Sequence, residues 1–163
     1  HLNYFINLSE KAMNIDVTKK DFWIESLRFI EEDIDEFEKL LKEVKSDIYI
    51  CDFHGEATSE KIAYGYHFDG RVNIIVGTHT HVQTNDARVL KNGTMYMTDL
   101  GMTGSLDGVI GVEPSGIIKK FLTGMPVRHN PMEAGHKQFC GLVVDIDEKS
   151  HKVTKYDIIN MVE

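Results

Sequence analysis

The sequence predicts a single α/β domain in which layers of helices and buried strands are followed by antiparallel strands. Segments with the apolar spacing of amphipathic helices alternate with short apolar runs that are typical of buried strands. Two hairpin patterns follow in the second half of the chain. At 163 residues, the chain suits one domain with a sizeable core.

Two segments predict helices. Apolar residues recur at spacings of three or four between residues 27 and 44, opposite a charged face. We therefore expect an amphipathic helix over "IEEDIDEFEKLLKEV" (30–44), with its apolar side on the core. The stretch "SEKIAYGYHF" (59–68) predicts a second helix, with Thr58 or Ser59 as its N-cap.

Apolar stretches predict the strands, and turn residues connect them. Asn92-Gly93 is a strong hairpin signal and joins "RVL" to "TMYMT" (94–98). A second hairpin is expected near the end, with "DEKSH" (147–151) as its turn between "CGLVVDI" and "KVTKYDII". The glycine-rich stretch 100–116 has no period and is expected to be a loop. Buried strands are expected at "YFINL" (4–8), "DIYICDF" (47–53) and "VNIIV" (72–76).

The composition narrows the class of protein. Apolar residues make up 42% of the chain and charged residues 27%, as in an ordinary globular protein. The net charge of −8 argues against non-specific binding to nucleic acid, which needs cations on phosphates. No apolar run reaches the roughly 20 residues of a membrane span. Cys51 and Cys140 lie in strand-like runs and are expected to be buried thiols of a reduced, cytoplasmic protein.

Three histidines follow predicted buried strands. His54 comes directly after "IYICDF", and His79 and His81 follow "VNIIV". Sites in α/β sheets form outside the carboxyl ends of the strands. Residues i and i+2 of an extended chain point to the same side, about 6.6 Å apart. We therefore predict that these three side chains converge as metal ligands, either on one ion or on two neighbouring ions.

The residues around these histidines carry simpler expectations. Gly77 is expected to relax the backbone before the pair, and Thr78 and Thr80 to face elsewhere. Isolated histidines in polar stretches are usually surface residues. We expect this of His67, His129, His136 and His151, and His1 is the first residue.

The motif "GTHTH" resembles the closing Gly-x-His-x-His motif of calcineurin-like metallophosphoesterases. An ordered series of blocks, "DFHGEATSEKIA", "DGRVNIIVGTHTHVQTNDARVLKNGTMYMTDLGMTG" and "IIKKFLTGMPVR", is more specific. These blocks resemble the YmdB-like subfamily, bacterial phosphodiesterases associated with 2′,3′-cyclic nucleotides. The resemblance spans roughly residues 47 to 147. It implies a metallophosphoesterase-type four-layer α/β/β/α sandwich, of which residues 1–163 would be the C-terminal portion, lacking the N-terminal half.

The resemblance also implies roles for the three histidines. His54 and His79 match two histidines on the second metal of a binuclear site, and His81 matches the histidine on the first metal. Mn, Fe or Zn would suit these nitrogen ligands. The family's other ligands, and the histidine that acts as general acid, have no match here and are expected upstream of His1. The sequence therefore shows no catalytic residue of its own, and we expect it to be incomplete as a site.

Five further residues are candidates for contacts around the metals or with substrate. Asp52 and Glu56 flank His54, and either carboxylate can accept the second N–H of a metal-bound imidazole. Glu56 is also a candidate for contact with substrate or with an oligomer interface. Asp99 can orient a histidine or cap the glycine-rich loop, and Thr103 and Gly104 can meet a phosphate through backbone N–H groups.

Three functions remain open at this point. The first is a binuclear phosphodiesterase for a small phosphodiester substrate, with 2′,3′-cyclic nucleotides as the candidate class. The second is a mononuclear zinc hydrolase that uses all three histidines. The third is a non-catalytic regulatory protein that binds a nucleotide. The resemblance also implies a homo-oligomer, for which "GVIGVEPSGIIKKFL" (108–122) can supply apolar surface. The alternative is that Ile117, Ile118 and Phe121 pack inside their own subunit.

Overall fold

The structure, a computed structural model, describes residues 33–163. The predicted strand at 4–8 and residues 30–32 of the predicted first helix lie outside this range. The elements are α1 (33–43), β1 (Ile50–His54), α2 (Thr58–His67), β2 (Ile74–Thr78), β3 (Arg88–Val89), β4 (Met95–Met97), β5 (Gly104–Ser105), α3 (Pro114–Thr123), β6 (Lys137–Ile146) and β7 (Val153–Val162).

The first sheet has the strand order β1-β2-β4-β3. Strands β1, β2 and β4 are parallel, and β3 pairs antiparallel with β4 through the predicted Asn92-Gly93 hairpin. In this register His54 lies opposite Thr78, so the carboxyl ends of β1 and β2 are level. Both strands end later than predicted, because backbone pairing continues beyond the apolar run into polar residues.

The second sheet, of order β5-β6-β7, packs on one face of the first. The long antiparallel pair β6–β7 confirms the second hairpin, and its turn closes from Asp147 N–H to the Lys152 carbonyl. Alternate residues of this pair face the first sheet and bury its apolar side chains. The shared core contains Ile74, Val76, Met95 and Met97, against which Leu142, Val144, Ile146, Val153 and Tyr156 pack.

Helices α1 and α2 cover the opposite face of the first sheet. The ring of Tyr64 on α2 stacks on Phe53 of β1 with 4.5 Å between centroids. Phe37 of α1 meets Phe68 edge to face at 4.9 Å. Such aromatic contacts add to the apolar area that the helices bury. The described layers are therefore helices, sheet and sheet, and the predicted α/β class is confirmed.

Two details of the helices correct the expectations. Ala57 is the N-cap of α2, without a side-chain hydrogen bond, so neither Thr58 nor Ser59 fills that role. The glycine content of residues 100–116 predicts a loop, yet α3 begins at Pro114, inside this stretch. Proline at the first turn and Gly124 in the left-handed region at the end are ordinary helix boundaries.

The outer surface of α3 is apolar and exposed. Phe121 and Leu122 are 82% and 80% exposed, and Ile118 is 54% exposed. Residues 33–163 thus leave Ile118 and Phe121 uncovered, whereas Ile117 is half-buried. Whether these three side chains pack inside their own subunit or against a second copy stays a prediction. Within residues 33–163, no helix is long and apolar enough to cross a membrane.

The thiol of Cys51 lies under α2, and its Sγ is 3.6 Å from the hydroxyl of Tyr64. Burial raises the pKa of Cys51 to about 11, against the lowering effect of the Tyr64 hydrogen bond and with some help from the Asp52 carboxylate. At pH 8 the folded protein should therefore alkylate at Cys51 about 100-fold more slowly than the unfolded chain, because the thiolate is the nucleophile. Peptide mass spectrometry after iodoacetamide treatment, with and without guanidinium, measures this. Equal rates in the two states would contradict it.

Candidate functional site

The site lies at the level carboxyl ends of β1 and β2. His54 is the last residue of β1, and His79 follows directly after β2. The Nε2 atom of His54 lies 3.0 Å from the Nδ1 atom of His79, and the two rings meet edge to face. The parallel register thus brings together two of the three predicted ligands.

A chain of hydrogen bonds fixes the ring of His54. The hydroxyl of Thr78 donates to Asp52 at 2.8 Å, and His54 Nδ1 lies 3.0 Å from the same hydroxyl. Because this hydroxyl has one proton and gives it to Asp52, it accepts from His54 Nδ1–H. The lone pair of His54 Nε2 then faces His79. Asp52 therefore reaches the histidine through Thr78, and the expectation that Thr78 faces elsewhere is wrong.

Glu56 holds the other side of His79. Its Oε2 atom lies 2.5 Å from His79 Nε2, although the glutamate side chain is 86% exposed. Both nitrogens of His79 are therefore engaged, one on His54 and one on a carboxylate. Of the predicted carboxylate candidates, Glu56 makes the direct contact with a site histidine.

The separation of the histidine nitrogens fits a metal. Two nitrogen ligands at about 2.1 Å from one ion are about 3 Å apart in an octahedral site and about 3.4 Å apart in a tetrahedral one. The observed 3.0 Å between His54 Nε2 and His79 Nδ1 matches the octahedral distance. The Asp52–Thr78 chain behind His54 is the kind of outer contact that metal-bound histidines have.

His81 has a different environment. Its Nδ1 lies 3.1 Å from the carbonyl oxygen of Ile110, in the loop before α3. This carbonyl can only accept, so His81 donates its Nδ1–H, and in the neutral ring Nε2 then has the lone pair. Across residues 33–163, no three His, Cys, Asp or Glu side chains form a group that can hold a metal ion. The expected convergence is therefore found for His54 and His79, and His81 does not join them.

The backbone of this segment is unusual. His79 has φ 111° and His81 has φ 65°, values that residues with a side chain seldom adopt. Such conformations persist where surrounding contacts over-determine them. The extended geometry assumed for residues 79–81 does not exist, which explains why the two histidines face different partners.

A buried ion pair lies beneath this segment, and only one of its two members, Asp99, is among the residues predicted from the sequence. Lys61 of α2 is 1% exposed and Asp99 is fully buried. Lys61 Nζ donates to Asp99 Oδ2 at 3.0 Å and to the Thr78 carbonyl at 2.6 Å. A lysine in an amphipathic helix pattern is normally a surface residue, so its sequence carries no signal of burial.

Asp99 receives several further hydrogen bonds. Thr80 N–H donates to Oδ2 at 3.0 Å, and Gly101 N–H donates to Oδ1 at 2.9 Å. Burial alone would raise the pKa of Asp99, but the hydrogen bonds from Thr80, Gly101 and Lys61 outweigh it and hold the pKa below its usual value. Asp99 thus caps the start of the glycine-rich loop, which is one of the two roles considered for it, and it also binds the backbone of the histidine segment at Thr80.

Gly77 is needed for space. A Cβ atom there would lie 1.8 Å from the carbonyl oxygen of Thr98 and 2.9 Å from Cδ of Lys61. Its φ is not positive, so the expected backbone relaxation is not its role. The absent side chain lets β2 and the residue after β4 approach closely.

The two candidates for phosphate contact, Thr103 and Gly104, lie at the start of β5. Thr103 is exposed, and Gly104 begins β5, where it pairs with Gln138. Their assignment as phosphate contacts stays a prediction. The surface histidines behave mostly as expected: His67, His129 and His136 are exposed, whereas His151 is half-buried. His67 pairs with Glu38, and His136 pairs with Asp107.

Comparison with known proteins places the chain in a family. The family model for YmdB-like proteins matches residues 14–159. The chain belongs to the YmdB-like family. The family predicted from the order of the sequence blocks is therefore confirmed.

Relatives of this YmdB-like chain include named and solved proteins. A 2′,3′-cyclic-nucleotide 2′-phosphodiesterase from Bacillus subtilis is 49% identical over 123 residues, which are 75% of this chain and 46% of that protein. A hypothetical protein from Thermus thermophilus superposes with a TM-score of 0.74 at 36% identity, covering 78% of this chain and 49% of its own. A structure described as a novel phosphatase from Mycoplasma pneumoniae has a TM-score of 0.73 at 36% identity, covering 78% and 46%. The chain thus spans about half the length of these relatives.

Proposed function

We propose that the protein containing this chain is a metal-dependent phosphodiesterase, with 2′,3′-cyclic nucleotides as the candidate substrates. The observation that carries the proposal is the 3.0 Å contact between His54 Nε2 and His79 Nδ1 at the carboxyl ends of two parallel strands. The name of the Bacillus subtilis relative supports the substrate class.

His54 and His79 would hold one ion and His81 a second, as the family resemblance implies. Bound ions of the Mn, Fe or Zn type supply Lewis acidity toward a phosphoryl oxygen and lower the pKa of a bound water. The residues of this chain orient the ligands. Asp52 and Thr78 direct the His54 lone pair, and the Ile110 carbonyl fixes the proton of His81 on Nδ1, which leaves Nε2 for an ion. The resemblance assigns the general acid to a histidine that precedes His1.

The structure favours this proposal over the mononuclear three-histidine zinc site. That alternative requires all three imidazoles around one ion. In the structure His54 and His79 meet, whereas His81 bonds to the Ile110 carbonyl. The non-catalytic alternative differs in having no metal-dependent turnover.

The proposal extends to partners and location. A small phosphodiester is the proposed substrate, and the exposed apolar side of α3, with Ile118, Phe121 and Leu122, supports a homo-oligomer. The cytoplasmic location stays a prediction, in keeping with the free thiols of Cys51 and Cys140.

Chelation of the intact protein tests the proposed function. We expect hydrolysis of 2′,3′-cyclic nucleotides to be lost when metals are removed and restored by Mn, Fe or Zn, with two ions per subunit by plasma mass spectrometry. A single ion would favour the mononuclear site. Binding of the nucleotide without turnover, whatever metal is added, would favour the regulatory protein.

A further inference from the structure

We propose that Lys61 and Asp99 form a positioning pair that holds His79 in the orientation in which it faces His54. The proposal rests on the proposed function in one respect, namely that His79 is a metal ligand. In residues 33–163, the hydrogen bonds of the pair go to backbone groups and between the two side chains, not to a histidine ring. The pair acts on the main chain at the two residues that flank His79.

The contacts of the pair bracket His79. Lys61 Nζ donates to the carbonyl oxygen of Thr78, the residue before it. Asp99 Oδ2 accepts from the N–H of Thr80, the residue after it. The ion pair joins Lys61 Nζ to the same Oδ2 atom of Asp99 at 3.0 Å, so the two contacts are linked to each other. Both peptide groups next to His79 are thus fixed to one rigid unit between α2 and the end of β4.

The conformation of His79 explains why contacts on both sides of it are needed. A φ of 111° is unfavourable for a residue with a Cβ, so a free chain would relax toward extended geometry. Relaxation would turn the imidazole away from His54. Metal sites require their ligands to be held closely in place. The hydrogen bonds from Lys61 and Asp99 hold the backbone of His79 in a conformation that its own sequence does not favour.

The burial of the pair favours positioning over stability as its role. Removing two charges from water is costly, and buried ion pairs often add little to stability compared with apolar residues of the same size. Lys61 and Asp99 are nonetheless 1% and 0% exposed. The stem of Lys61 lies along Gly77, so the lysine also depends on the missing side chain there.

The test uses the intact protein with the double substitution Lys61→Met/Asp99→Asn. It removes both charges at nearly constant size and leaves no unpaired buried charge. We expect a fall in affinity for Mn of about 10- to 100-fold, as for other residues that orient metal ligands. The three-bond NMR coupling between the amide and α protons of His79 depends on φ and is small at 111°. We expect this coupling to rise in the variant toward the larger value of an extended residue. Asp99→Asn alone provides the same measurements should the double variant not fold.

The control is Lys155→Met, which breaks the exposed ion pair with Asp157. It should leave both readouts unchanged. A folded double variant with the coupling and the Mn affinity of the wild type would overturn the positioning role. If His79→Ala binds Mn as the wild type does, the proposed metal site fails. The coupling of His79 in the double variant still decides whether the pair holds the segment.

Discussion

Replacement of His79 by alanine should lower phosphodiester hydrolysis by about 100-fold or more and weaken the ion shared with His54. Loss of residues that only orient metal ligands already costs about 10- to 100-fold, so loss of a ligand should cost at least as much. His54→Ala should have the same effect, because the two nitrogens face each other at 3.0 Å. His81→Ala should weaken the other ion. Metal content and steady-state kinetics of the intact variants measure these effects.

The fold of these variants should stay nearly intact, because the imidazoles lie at the sheet edge and the cores lie on its two faces. His129→Ala is the matched control, since His129 is exposed. Equal metal content and activity in all four variants would show that His54, His79 and His81 hold no ion that hydrolysis needs, and the enzyme proposal would fail.

Replacement of Gly77 by alanine should have the largest effect on stability. The new Cβ would lie 1.8 Å from the Thr98 carbonyl oxygen, so β2 and the end of β4 would have to separate. Overpacking of a core costs about 1–3 kcal/mol, and here the obstacle is backbone that has little freedom to shift. We expect the free energy of unfolding to fall by about 3 kcal/mol or more. Urea unfolding followed by circular dichroism measures it.

Gly104→Ala is the control for this substitution. A Cβ at Gly104 meets no atom within 4 Å, and its φ is not positive. Its effect should stay within about 0.5 kcal/mol, as for other surface substitutions. A Gly77→Ala protein as stable as this control would show that the two strands can move apart at little cost.

The meeting of His54 and His79 was predictable because it depends on the parallel pairing of buried strands. Apolar runs identify such strands, and their carboxyl ends share an edge. The position of His81 was not predictable in the same way. The rule that residues i and i+2 face one side holds for extended chain, and the positive φ of His79 breaks it. None of the residue types in "THTH" predicts a positive φ at this position.

Two other elements differ in what their sequences could reveal. Helix α3 had a usable signal, with Pro114 at its start and Gly124 at its end, which the glycine content of the preceding stretch concealed. Lys61 had none. Its burial follows from partners far along the chain, Asp99 and the Thr78 carbonyl, which sequence periodicity does not report.

Because β1 and β2 end at the same level, the register between these strands determines whether His54 and His79 meet. His54 and Thr78 are partners in the ladder, and His79 is placed relative to that pairing. A slip of one residue would move one imidazole by about 3.3 Å along its strand and turn it to the opposite face. The side chains that prevent a slip are those of the two cores, such as Ile75 on one face and Val76 on the other. Distant apolar residues therefore set the alignment on which any chemistry at this edge depends.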